Sequence, residues 1–186
     1  IDIGGWKIRG VLWDGRRAVR AYEIPTPRTR AAFVRTLQRL AGRLSTAAKG
    51  RILGVGIGAA GVIRGTRLWW SPNIPYLRRF NFRTIFPLLP LRVDNDARVF
   101  LRAEWRRGAA RGARSILAIT FGTGVVRAYG ILGRIVRNKK LEYPEAWELR
   151  FQRLRDGSSD AALAAFAAGK LTSLVRRYRP SVLIFG

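Results

Sequence analysis

Asp2 stands just ahead of a glycine pair, Ile1-Asp2-Ile3-Gly4-Gly5, where one apolar stretch ends and another begins at Ile8. A tight glycine turn exposes backbone N–H groups and lets an anion approach closely. A neighbouring aspartate suits magnesium, which keeps several waters and takes one or two carboxylates beside phosphates. Gly122-Thr123-Gly124 follow a second apolar stretch, Ser115 to Phe121, in the same way. Asp94-Asn95-Asp96 precede a helix-like segment. A carboxylate there can take a proton from a hydroxyl, and the same side chains can cap the helix; the two readings are compatible. Histidine and cysteine are both absent. Histidine bases, Ser-His triads, imidazole- or thiolate-ligated zinc and disulfides are therefore excluded. Acid–base chemistry must run on Asp, Glu, Lys or Tyr.

The 186 residues suit one domain or two small lobes, and 48% hydrophobic content is ample for a core. No apolar run is long enough to span a bilayer, and no signal-peptide pattern opens the chain, so a cytoplasmic location without membrane partners is expected. Methionine is absent even at position 1, so both ends are expected to be internal to a longer protein. The net charge is +25, and of 36 basic residues only five are lysine. The arginines are scattered, in pairs such as Arg16-Arg17 and Arg176-Arg177. That distribution implies nonspecific attraction to nucleic acid and other polyanions, since dedicated readers concentrate charge on one element. Exposed Trp69-Trp70 and Trp147 leave a homodimer or a lobe contact open.

Positioning these residues requires a mixed α/β scaffold. Ile1–Ile24 reads as a β-meander with an Asp14-Gly15 hairpin turn. Phe33, Leu37, Leu40 and Leu44 predict a helix over about Thr29–Ala48. Arg51–Gly58 is a buried strand, Gly61-Val62-Ile63 and Thr66–Trp70 a further turn and strand, Ser71–Pro90 an irregular proline-rich stretch with room for a short helix, and Leu91-Arg92-Val93 a short strand. A helix follows over about Ala97–Arg107. Ser115–Phe121 and Val125–Ile135 begin a second meander. Leu141–Leu154 is ambiguous, Ser158-Ser159-Asp160 caps a last helix, and Val182–Phe185 is a final strand. Two meanders, each with a glycine turn after its first strand, suggest an internal duplication around a cleft.

Five motifs occur in order: Asp2-Ile3-Gly4-Gly5, Gly56-Ile57-Gly58-Ala59-Ala60-Gly61-Val62, Pro72-Asn73-Ile74-Pro75, Asp94-Asn95-Asp96-Ala97 and Phe121-Gly122-Thr123-Gly124. This order resembles the ROK family (repressors, open reading frames, kinases), a branch of the actin, sugar kinase and Hsp70 ATPase superfamily. The resemblance covers Ile1 to about Gly133 and resumes over Leu171–Gly186. It implies a ribonuclease H-like, actin-like ATPase fold, with a first lobe over 1–107 and a shortened second lobe over 108–186. It implies ATP and magnesium as cofactors, with no zinc. Gly4, Gly5 and Lys7 would form the first phosphate turn, and Asp2 would hold magnesium through water. Gly122, Thr123 and Gly124 would form the second, and Gly186 would begin the adenosine motif. Gly61, Asn73, Asn95 and Asp96 would bind a hexose or amino-hexose, with Asp96 as the general base in phosphoryl transfer. Glu148, in Ala146-Trp147-Glu148-Leu149-Arg150-Phe151, would be the remnant of the family's sugar-binding Glu-His stretch.

The departures bear on activity. Trp6 stands where the family's first turn has threonine, Phe151 where it has histidine, and the zinc-binding cysteines are missing. Two readings follow: an ATP-dependent sugar kinase, or a non-catalytic nucleotide- or sugar-binding regulatory member.

Overall fold

A computed structural model of the chain describes residues 1–122, 124–155 and 157–186, the side chains of Glu142 and Gln152 excepted. The chain divides into two compact units, Ile1–Asp96 and Ala97–Gly186.

The first unit opens with β1 (Asp2–Ile3), β2 (Lys7–Trp13) and β3 (Ala18–Pro25), followed by helix α1 (Arg30–Ala47). Thr29 caps α1 by accepting the Ala32 N–H, and Phe33, Leu37, Leu40 and Leu44 form its buried stripe, as their spacing requires. The helix lies close over β2: a Cβ at Gly10 would fall 2.9 Å from methyl carbons of Leu40 and Leu44. Next come β4 (Val55–Ala59), β5 (Val62–Arg64), β6 (Arg67–Trp70), β7 (Phe80–Asn81) and β8 (Leu91–Asn95). The main sheet runs β3-β2-β1-β4-β8, and β5-β6-β7 form a separate sheet of three. β1, β4 and β8 are parallel, and their register aligns Ile3 with Ala59 and Ala59 with Asn95. This row has a direct consequence. Gly4, Ala60-Gly61 and Asp96 leave the sheet side by side at the carboxyl ends of parallel strands, where α/β folds collect their ligands.

The Asp14-Gly15 turn joins β2 and β3 as a hairpin, and β3 resumes at Ala18 as expected; the loop runs to Arg17, with Asp14 Oδ1 accepting the N–H groups of Arg16 and Arg17 at 2.8 Å each. These two donors hold the Asp14 carboxyl below its ordinary range. The fourth strand begins at Val55, not Arg51, because its partner β8 starts only at Leu91, after Pro90. The stretch 71–90 is irregular, as expected, with short helical turns between its prolines. Two short 3₁₀ turns, Pro75–Leu77 and Phe82–Thr84, flank β7, and Phe80 packs edge-on against Phe33 and Phe82 at 5.6 and 5.2 Å.

Helix α2 (Asp96–Arg107) opens at the last residue of the first unit and continues in the second. The second unit then carries β9 (Ser115–Phe121), β10 (Val125–Ile131), β11 (Arg134–Ile135), α3 (Lys139–Glu142), α4 (Ala146–Arg155), α5 (Asp160–Tyr178) and β12 (Val182–Phe185). Its sheet runs β11-β10-β9-β12, with β9 and β10 antiparallel and β12 parallel to β9. This repeats the β2-β1-β4 arrangement of the first unit, and the duplication read from the two meanders is present in the topology. β9 is buried on both faces: Ile116 and Ala118 pack with Ala97 and Leu101 of α2, and Leu117 and Ile119 with Phe151, Ala167 and Leu174 of α4 and α5. The ambiguous stretch 141–154 is largely helical. Among the described residues no helix is long and apolar enough to cross a membrane.

Candidate active site

In the first unit, the glycine turn between β1 and β2 is closed by the Gly4 N–H donating to the Lys7 carbonyl at 2.9 Å. Thr26, between two prolines, clamps it from outside. Its N–H donates to the Trp6 carbonyl and its hydroxyl to the Gly4 carbonyl, both at 2.8 Å. Thr26 was not picked out from the sequence, although a threonine in Pro25-Thr26-Pro27 at a strand end has no packing reason to be buried. Thr26→Val is expected to cost about 1–2 kcal/mol, because it leaves the Gly4 carbonyl without that donor; the urea midpoint reads it.

Asp2 sits between Arg9 on β2 and Gly58 on β4. Desolvation pushes its carboxyl up, against the pull of Lys7 and Arg9. Lys7 bridges to Glu23 at 3.1 Å across the β2–β3 hairpin. The Trp6 side chain is 62% exposed, with the Arg28 guanidinium 5.7 Å from its ring centroid. Gly5 backs directly onto Asn73: an added Cβ would lie 3.0 Å from the Asn73 Cβ.

Asn95 joins the remaining first-unit residues. It is buried, and its Nδ2 donates to the Gly61 carbonyl at 3.1 Å and to Asp96 Oδ1 at 2.8 Å. Asp94 and Asn95 end β8, and Asp96 is the first helical residue of α2. A carboxylate in a first helical turn is favoured by the helix dipole. Gly61 has φ of 132°, and a Cβ there would meet the Trp70 carbonyl at 2.3 Å, so the position admits glycine alone. Buried Ser71, also missed from the sequence, accepts the N–H groups of Asn73 and Ile74 and sets the Pro72–Pro75 turn. The fold thus brings Gly4, Gly5 and Asn73 together, and Gly61, Asn95 and Asp96 together.

In the second unit, the Gly122 N–H donates to the Gly124 carbonyl at 2.9 Å, closing the turn between β9 and β10. Thr123 lies outside the described residues. A Cβ at Gly122 would meet nothing within 4 Å, so the turn has open space beside it. Gly186 is held against the same strand: its carbonyl accepts the Phe121 N–H at 2.9 Å, and its N–H donates to Ile119 at 3.1 Å. Arg155, on α4, donates to the Gly122 carbonyl at 3.2 Å, and Phe151 packs on Phe121 with centroids 5.7 Å apart.

Glu148 is 3% exposed, and both its oxygens are engaged by the protein. Oε1 accepts from Arg127 Nη1 at 2.8 Å, and Oε2 from the Glu145 N–H. Arg127 Nη2 donates to the Lys140 carbonyl and to Glu145 Oε1. Desolvation raises the Glu148 carboxyl to about 7 against the opposing pull of Arg127. This buried cluster ties α3 and α4 to β10.

A model of the ROK family matches residues 1–137. The chain is 34% identical over 134 residues to the glucokinase of Streptomyces coelicolor, an alignment covering 67% of this chain and 40% of that protein. The chain therefore spans about two fifths of the length of such glucokinases. Among solved structures, an inorganic polyphosphate/ATP-glucomannokinase from Arthrobacter sp. strain KM is 25% identical with a TM-score of 0.84, over 100% of this chain and 81% of that one. A ROK hexokinase from Thermus thermophilus is 26% identical with a TM-score of 0.72, over 100% and 79%. The duplicated sheets are the actin-like ATPase fold that these kinases share. With its two glycine turns, its Asn95-Asp96 pair and a family match over most of its length, the chain belongs to the ROK family.

Proposed function

We propose that this chain is the ATP- and sugar-binding core of a sugar kinase, transferring the γ-phosphoryl group of ATP to a hydroxyl of a hexose or amino-hexose. The observation that carries this reading is the Asn95 bridge, which holds Asp96 Oδ1 and the Gly61 carbonyl through one amide beside the row that also contains Gly4. Asp96 takes the proton of the attacking hydroxyl as its oxygen bonds to the γ-phosphorus and the bond to the ADP oxygen breaks. Asn73, Asn95 and Gly61 orient the sugar. The names of the glucokinase, hexokinase and glucomannokinase relatives favour a hexose.

The open space at Gly122 fits a phosphate brought close to backbone N–H groups. Among the described residues no cluster of three metal-binding side chains occurs. Asp2 alone still fits magnesium, which is content with one carboxylate, phosphates and water. When bound, the metal neutralises phosphate charge. Gly186 supports the adenosine side beside Phe121. We assign Glu148 to holding Arg127, since it is buried and accepts Arg127 and the Glu145 N–H on its two oxygens.

Trp6 favours the second reading, a non-catalytic nucleotide- or sugar-binding member. Trp6→Thr separates the two. On the kinase reading the indole stays beside Arg28, clear of a bound nucleotide, and the substitution is expected to change ATP·Mg affinity by less than about threefold, roughly 0.7 kcal/mol. Marked tightening, read by titration calorimetry, would identify a blocked phosphate site. The direct test of the kinase reading is sugar-dependent ADP release.

A further inference from the structure

The small sheet β5-β6-β7 has a solvent face that the proposed reaction does not use. On β6, Leu68 is buried opposite Phe80, so Arg67 and Trp69 share the outer face. Arg64 pairs with Arg67 across β5 and β6. The Arg79 N–H donates to the Trp69 carbonyl at 3.3 Å, which sets Arg79 beside the indole. The Arg64 and Arg79 guanidinium carbons lie 4.4 and 4.8 Å from the Trp69 ring centroid. Arg78 is exposed next to them. Neither Asp nor Glu occurs between Glu23 and Asp94. Among the described residues none of these four arginines has a carboxylate partner.

The arrangement is costly without a ligand. Like charges facing each other on neighbouring strands repel, as Arg64 and Arg67 do. Arg79 has φ of 58°, a left-handed conformation unfavourable for a non-glycine residue. Strain and uncompensated charge of one sign, concentrated on one face, call for an anion from outside. A guanidinium seated on an indole uses the ring face and keeps its N–H edge for a phosphate. The four arginines line a sheet whose strands lie roughly 5 Å apart, so they match a row of phosphates better than a single one. Open sheet faces receive splayed single strands, whose phosphates and bases can lie along neighbouring strands.

We propose that this face binds the phosphodiester backbone of single-stranded nucleic acid. Recognition is by charge along the strand, with guanidinium planes available to bases and little sequence preference.

The test compares fluorescence-anisotropy titrations of a labelled oligouridylate across three forms of the protein: unaltered, Arg64→Gln/Arg79→Gln, and a charge-matched control, Arg35→Gln/Arg39→Gln, on the exposed side of α1. The face variant is expected to bind about tenfold more weakly near 0.1 M salt, with the log–log salt slope reduced by about 1.4 for two lost contacts. The control should bind as the unaltered protein does. If Arg79→Gln impairs folding, as circular dichroism would show, Arg67→Gln/Arg78→Gln replaces it, since neither residue touches the ring. Equal weakening by face and control variants would overturn the proposal in favour of bulk charge. So would a loss confined to long-chain inorganic polyphosphate as the probe, which would make the inorganic polymer the ligand.

Discussion

On the sugar-kinase reading, Asp96→Asn is expected to lower kcat by about 10²–10⁴-fold, the usual worth of a positioned general base, while ATP·Mg affinity stays within about twofold. The substitution is nearly isosteric and retains an Oδ1 acceptor for Asn95 Nδ2, so the bridge to Gly61 and the start of α2 persist. Only the capacity to accept a proton is removed. Because the base acts in the transition state and not on the bound nucleotide, the loss should fall on kcat and leave the KM for ATP little changed. Single-turnover and equilibrium binding measurements together read it. Parallel loss of binding and turnover would mean that Asp96 is a structural member of the β8–α2 junction and not the base.

The second large effect lies in the other unit. Arg127→Met is expected to destabilise the protein by about 3–5 kcal/mol near pH 8, because it leaves the Glu148 carboxylate buried without its cation. Both side chains are almost fully enclosed, at 2% and 4% exposure. The cost should shrink toward pH 5, where Glu148 can take up a proton instead. Arg127→Met with Glu148→Leu should recover most of the loss, since an apolar pair replaces a buried ionic one. The unaltered protein carries a related signature. Glu148 has an ordinary value of 4.5, raised to about 7 in the fold, so the folded state keeps this proton where the unfolded state has lost it. Its contribution is therefore greatest below about pH 4.5, and stability falls as pH rises toward 7, by up to about 3 kcal/mol. Glu148→Gln should flatten that slope in urea unfolding across pH 4.5–8.

The apolar periodicities were legible because local geometry controls them. The stripe from Phe33 to Leu44 had to be a helix, and Ser115–Phe121 had to be a strand buried on both faces. Glycine turns after the first strand of each meander disclosed the duplication. What could not be read was whatever depends on a distant partner. β4 begins where β8 can pair with it, 36 residues away in register at Val55 and Leu91. Thr26 matters only because the first hairpin returns it to Gly4. Asn95 was legible as a residue at the start of a helix, but the contact of its amide with Gly61 depends on the parallel register of β4 and β8. Glu148 carried a family-like sequence context, but Arg127, on β10, is the group beside it. Neither residue reveals the other by spacing.

The measurement that tests the central claim most directly is ADP release by the purified protein with ATP and magnesium, across a panel of hexoses and N-acetylhexosamines, with Asp96→Asn alongside. The sugar-kinase account predicts turnover that depends on one class of sugar, yields the sugar phosphate and disappears in the variant. ATP binding without sugar-dependent turnover for any member of the panel would contradict it and leave a non-catalytic member of the family.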